Sequence, residues 1–110
     1  MSDAMPQQSS FVIGADHPSL PGHFPGEPIV PGAVLLDHAI EHIESATQRR
    51  VTAIAAAKFN LPVTAEKTCV LTMQVKGDTV AVSAAVDGEV AFSLSAILQD
   101  VDDGQHRNPA

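Results

Sequence analysis

A histidine and an aspartate fourteen residues apart frame the part of this chain that can do chemistry. They bound the run Gly22-His23-Phe24-Pro25-Gly26-Glu27-Pro28-Ile29-Val30-Pro31-Gly32-Ala33-Val34-Leu35-Leu36-Asp37. A neutral imidazole can take a proton, and a protonated carboxyl group can give one. Between the two, the chain leaves a stiff loop and enters an apolar helix, whose unpaired first-turn N–H groups can polarise a carbonyl. Base, acid and polarising donor are the three parts needed to remove a proton beside a carbonyl.

Those parts need elements to hold them. The segment His17–Pro31 contains five of the eight prolines, which excludes helix and stiffens the loop. Gly32 to about Ala46 is expected to be a helix, with Pro31 suited to its start. Val34, Leu35, Leu36, Ala39, Ile40 and Ile43 make it apolar nearly all round, so burial on all sides is expected. Arg49 and Arg50 follow, where the negative end of the helix dipole would favour them.

Ser10–Ala15 is a short strand candidate. After the helix the period changes to two, giving expected strands at Val51–Asn60, Lys67–Val75, Val80–Val86 and Val90–Leu98. Asp87-Gly88 is a strong hairpin signal and Lys76-Gly77-Asp78 a weaker one. The fold class expected is α+β, an antiparallel sheet wrapped around one central helix. One domain over residues 10–98 is expected, with flexible tails at 1–9 and, acidic, at 99–110.

A chain of 110 residues with 45% hydrophobic content forms a modest core. About two-thirds of its unfolded surface is buried on folding, which favours further burial in an oligomer. The single Cys69 excludes an internal disulfide and offers no cysteine cluster, so no cofactor or metal is expected and a reducing, cytoplasmic setting is. Residues 1–9 lack the basic start and apolar run of a leader, and no apolar stretch is long enough for a membrane span. The net charge of −7 opposes nucleic acid and anionic membrane surfaces.

The loop and helix resemble those of the β-hydroxyacyl-(acyl carrier protein) dehydratases of the FabZ and FabA type, which have the hotdog fold. The matching residues are Gly22-His23-Phe24-Pro25-Gly26-x-Pro28-Ile29-x-Pro31-Gly32, then Leu35-Leu36-Asp37, then Lys58-Phe59-x-x-Pro62-Val63. The resemblance spans roughly residues 10–98 and implies that His23 and Asp37 are catalytic. It implies that the Gly32 N–H faces the thioester carbonyl and that the Ile29 carbonyl holds the histidine ring. It also implies that His23 of one subunit works with Asp37 of its partner, in a homodimer or a heterodimer with another hotdog subunit. The acyl partner would be an acyl carrier protein bearing a 3-hydroxyacyl chain.

Aspartate at position 37 is the FabA-type choice, which leaves isomerisation of the product open. The short length is similar to that of the dehydratases of aryl polyene biosynthesis, so fatty acid and polyene pathways are both implied. A carrier-protein patch would draw on Arg49, Arg50, Lys58 and Lys67.

Other readings stand beside these. His38-Ala39-Ile40-Glu41-His42 formally matches a zinc peptidase pattern, against a solvated helix face or a dimer contact. Alternation places Ala53, Ala55 and Ala57 on one strand face and Ile54, Ala56 and Lys58 on the other, where small side chains pack closely or leave room for an acyl chain. A non-catalytic or partner-dependent acyl-binding subunit, and a hotdog thioesterase, are the alternative functions.

Overall fold

The period-two segments form a five-stranded antiparallel sheet, described here from a computed structural model covering residues 7–14 and 29–101. Its elements are β1 (Gln7–Val12), α1 (Gly32–Thr47), β2 (Arg49–Phe59), β3 (Thr68–Lys76), β4 (Thr79–Val86) and β5 (Glu89–Asp100). The strand order is β1-β3-β4-β5-β2, so β1 and β2 are the two edges. β1 starts at Gln7 rather than Ser10, and β5 runs to Asp100 rather than Leu98. No described helix is long and apolar enough to cross a membrane.

β3, β4 and β5 each turn a row of apolar side chains toward the helix, and β1 adds Phe11. Phe11, Cys69, Leu71, Met73, Val80, Val82, Ala84, Phe92, Leu94, Ala96 and Leu98 form that inner layer with Leu35, Ala39 and Ile43 of α1. Expected burial of the helix on all sides is not what is found. Leu35, Ala39 and Ile43 are its buried residues, a single stripe at i, i+4 and i+8, whereas Ala33, Asp37 and Glu41 are exposed. A sheet on one side can cover one stripe of a helix; the opposite stripe has no strand among the described residues to pack on.

The helix ends at Gln48, whose left-handed backbone (φ 58°) lets its N–H donate to the Glu44 carbonyl at 2.9 Å. The chain then enters β2 directly, and the Val51 N–H donates to Glu44 Oε2 at 2.9 Å. Arg49 and Arg50 are therefore strand residues, not helix-end charges. Asp87 (φ 54°) and Gly88 (φ 82°) close β4 on β5 with both residues left-handed, the type I′ geometry that an Asp-Gly pair favours.

β2 carries the largest departure from simple alternation. Its pairing with β5 shifts register between Val51 and Ala53 and again between Ile54 and Ala56. Two β-bulges result, and an extra residue in a strand swaps the faces beyond it. Ala53, Ala56 and Lys58 pair with Ile97, Ser95 and Ser93 on the outer face, while Ile54, Ala57 and Phe59 pair with Ala96, Leu94 and Phe92 on the helix side. The expected grouping of Ala53, Ala55 and Ala57 on one face is thus corrected. A stretch of small residues interrupts strict period two without disturbing a core, which is why alternation misread it.

Cys69 is fully buried between β1 and β4, and burial pushes its thiol above the ordinary value. The thiolate is the reactive form, so the native protein should resist iodoacetamide at pH 8 and take up one label on unfolding, as read by intact mass. Rapid labelling of the native state would contradict this packing.

Candidate functional site

Helix α1 begins without a side-chain cap. Pro31, extended at φ −61° and ψ 145°, occupies the N-cap, and its carbonyl accepts from Val34 N–H at 3.0 Å and Leu35 N–H at 3.2 Å. This leaves the Gly32 and Ala33 N–H groups without a backbone acceptor among the described residues. Two unpaired donors at a helix start suit a developing oxyanion. Ala33 was not among the residues singled out from sequence; it enters because the first turn leaves its N–H, like that of Gly32, without a backbone acceptor among the described residues.

The start of the helix is held from outside. Ile29 bridges Thr64 in antiparallel fashion, and Val30 N–H donates to the Val63 carbonyl at 2.8 Å. The Pro62-Val63 part of the second motif therefore stitches down the chain that delivers Gly32. Ile29 itself is exposed by side chain, with its backbone fixed at this junction. His23 lies outside the described residues, so its place relative to Ile29 is not described.

Phe59 explains why position 32 is glycine. A Cβ built on Gly32 would lie 3.1 Å from Phe59 Cζ and 3.3 Å from Cε1. The requirement is for space rather than for an unusual backbone angle. The Phe59 ring is stacked on Phe92 (centroids 5.7 Å apart, 27° between planes), yet it remains 47% exposed. Together with Val30, Leu35, Asn60 and Leu61 it lines an open pocket of about 370 Å³ at the helix start. Phe59 appeared in the sequence as part of a motif; its contact with Gly32 spans 27 residues of chain and has no local signal.

Asp37 is exposed in the protomer, on the side of α1 away from the Leu35–Ala39–Ile43 stripe. Gly32 and Asp37 thus share one helix but face different surroundings. Of the apolar residues around it, Leu35, Ala39 and Ile43 lie on the other side of the helix.

Of the four expected carrier-patch cations, two are occupied. Arg49 donates to Asp78 Oδ1 at 2.5 Å and to the Gly77 carbonyl at 2.8 Å, tying β2 to the β3–β4 turn. Its Nε also lies 2.8 Å from Asp100 Oδ1, close enough for an ion pair although the N–H is not aimed at the oxygen. Lys67 pairs with Asp87 at 3.3 Å. Arg50 and Lys58 are exposed and carry no ion pair among the described residues.

His38 and His42 are not a solvated face. Both are half-buried against Phe11 of β1, with ring centroids 4.8 and 5.6 Å away, and Ser9 Oγ lies 2.8 Å from His42 Nδ1. They fasten α1 to the β1 edge, and Glu41 between them is exposed. Among the described residues, no three His, Cys, Asp or Glu side chains are placed to hold a metal ion.

Several solved structures share this architecture. The dehydratase heterocomplex ApeI:P from Xenorhabdus doucetiae aligns with a TM-score of 0.71 at 18% identity, over 86% of this chain and 88% of that one. An uncharacterized protein from Erwinia carotovora subsp. atroseptica aligns at 0.73 and 21% identity, over 87% and 84%. The (R)-hydratase from A. caviae involved in PHA biosynthesis aligns at 0.66 and 14%, over 92% and 98%. At these identities the likeness establishes the fold, which is the hotdog fold. Among curated proteins none matches the chain. The ApeI dehydratase family model matches residues 2–95, which includes the loop, the helix and the first four strands. The chain belongs to the ApeI-like dehydratase family.

Proposed function

We propose that this chain eliminates water from a 3-hydroxyacyl thioester carried on an acyl carrier protein, giving the trans-2-enoyl thioester. The observation that carries this reading is the helix start: Gly32 and Ala33 N–H groups without a backbone acceptor among the described residues, beside the Phe59 pocket and within ten residues of His23 in sequence. His23 takes the proton on the carbon between carbonyl and hydroxyl-bearing carbon. The electron pair left behind is stabilised as the thioester oxygen accepts from the Gly32 and Ala33 N–H groups. It then forms the double bond as the C–O bond breaks, and Asp37 protonates the departing hydroxyl to water.

Exposure of Asp37 on the free side of α1 supports a site shared between two subunits, because that carboxyl group faces away from its own sheet. The β2 edge supports the same arrangement. Among the described strands it is an unpaired edge, with Ile54 and Phe59 of its helix-side face exposed, and such an edge is where another strand adds. A second hotdog subunit, identical or related, would cover it. The pathway we assign is fatty acid or polyene biosynthesis in the cytoplasm, with an aryl polyene chain as one candidate substrate.

Intact-mass analysis of a 3-hydroxyacyl carrier protein tests the reading. Incubation with the wild-type protein should remove one water, and His23→Ala should not. Release of the free acid instead would identify a thioesterase. No change with short, long and aryl-capped chains would point to a partner-dependent or acyl-binding subunit.

A further inference from the structure

Charge is segregated on this sheet. The side chains that alternate away from α1 form an outer face crossing all five strands, and among the described residues no Asp or Glu stands on it. That is unexpected in a chain with 13 acidic residues against 6 basic ones. Asp37, Glu41 and Glu44 are on the helix, Asp78 and Asp87 occupy hairpin turns, Glu66 precedes β3, and Glu89 and Asp100 stand at the two ends of β5, in register with Val86 and Arg49 on the helix side. The outer face instead carries Arg50, Lys58 and Lys76, all exposed and none ion-paired among the described residues.

The ground between these cations is flat and polar. Thr72, Ser83, Ser93 and Lys58 lie directly opposite one another on β3, β4, β5 and β2, forming a rib perpendicular to the strands. With the neighbouring small residues they floor a shallow trough of about 450 Å³. At roughly 4.8 Å per strand and 3.3 Å per residue, the three cations mark a triangle about 15–20 Å on a side. A helix of about 12 residues spans that distance.

We propose that this outer face is the docking surface for an acidic protein domain, the acyl carrier that presents the thioester. The partner's identity rests on the dehydratase reading above; the surface is defined by charge and shape. Nucleic acid fits less well, because among the described residues no aromatic side chain stands on the face to stack a base, and the net charge of −7 repels a polyanion at long range. Lys58 and Phe59 are consecutive. One strand end thus offers a cation on the outer side and, on the inner side, the ring that contacts Gly32, so a docked carrier stands beside the pocket its acyl arm must enter.

Fluorescence anisotropy with a labelled type II acyl carrier protein bearing a 3-hydroxyoctanoyl chain tests this. Wild-type binding should weaken as salt rises. The Lys58→Glu/Lys76→Glu protein should bind roughly tenfold or more weakly, because acidic patches then meet acidic side chains. Lys58→Arg/Lys76→Arg, which keeps the charge, should bind as wild type does, and thermal melts of all three confirm folding. Equal affinity of the Glu variant and wild type overturns the proposal, as does a Glu substitution that abolishes self-association of the chain but not carrier binding. Salt-sensitive wild-type binding, lost in the Glu variant but without loss of water from the bound chain, upholds the docking surface and removes the dehydratase reading instead.

Discussion

Mixing His23→Ala protein with Asp37→Ala protein should restore activity that neither has alone. Each substitution removes a group that transfers a proton in the reaction, and each should lower turnover by roughly a thousandfold. If the site is built from His23 of one subunit and Asp37 of the other, a mixed dimer contains one site with both residues intact and one with neither. Random exchange makes about half the dimers mixed, so recovery should approach about a quarter of wild-type activity. The measurement is turnover of a 3-hydroxyacyl thioester after unfolding and refolding the two proteins together. Exchange shown by mass spectrometry of tagged subunits, with no recovery, would sink the shared site. The structural basis is the direction of Asp37, exposed on the helix side that its own sheet leaves uncovered.

Replacing Gly32 with alanine should lower kcat by about a hundredfold while leaving the fold intact, since a displacement near 1 Å at a reacting group can cost that much. Alanine is the better helix former, so thermal stability should hold or rise. The added methyl would lie 3.1 Å from the Phe59 ring, forcing the ring or the helix start to shift by a few tenths of an ångström. It would also stand where a carbonyl must approach the Gly32 N–H. The two effects separate in a double variant. Phe59→Leu removes the ring contact, so if ring displacement causes the loss, Gly32→Ala/Phe59→Leu should regain much of it. If the methyl blocks the carbonyl directly, the double variant stays as slow as Gly32→Ala. Wild-type kcat in Gly32→Ala would mean that the thioester does not bind at this helix start.

What could be read before folding was what short-range chemistry determines. The helix start at Gly32, the Asp87-Gly88 turn, the alternation of β4 and that of β5 from Phe92 onward all depend on near neighbours, and each lies where the pattern placed it or within a few residues. Val90, expected in the same row as Phe92, is turned outward by a register shift opposite Ala84 and Ala85. The family resemblance was legible because its motif is confined to two short runs. What depends on distant partners was not. Leu36 and Ile40 have the same character as Leu35 and Ile43, so composition alone could not show which stripe of the helix the sheet covers. The bulges of β2 arise among alanines, where neither face declares itself. Arg49 looked available to a partner until the β3–β4 turn brought Asp78 and the Gly77 carbonyl to it across 28 or more residues. Such a surface pair contributes little stability, but it decides which cations remain for another protein.

β1 and β2 are neighbours in sequence order, with only the loop and α1 between them, yet they occupy opposite edges of the sheet. The three inner strands join in consecutive hairpins, which form on a timescale of about microseconds. The edge strands must instead close longer loops, 55 residues between β1 and β3 and 29 between β2 and β5. On the ribosome the order is inverted: β1, the loop, α1 and β2 emerge first and have no sheet to join until β3, β4 and β5 follow. The helix carrying Gly32 and Asp37 is thus made before the sheet that seats it.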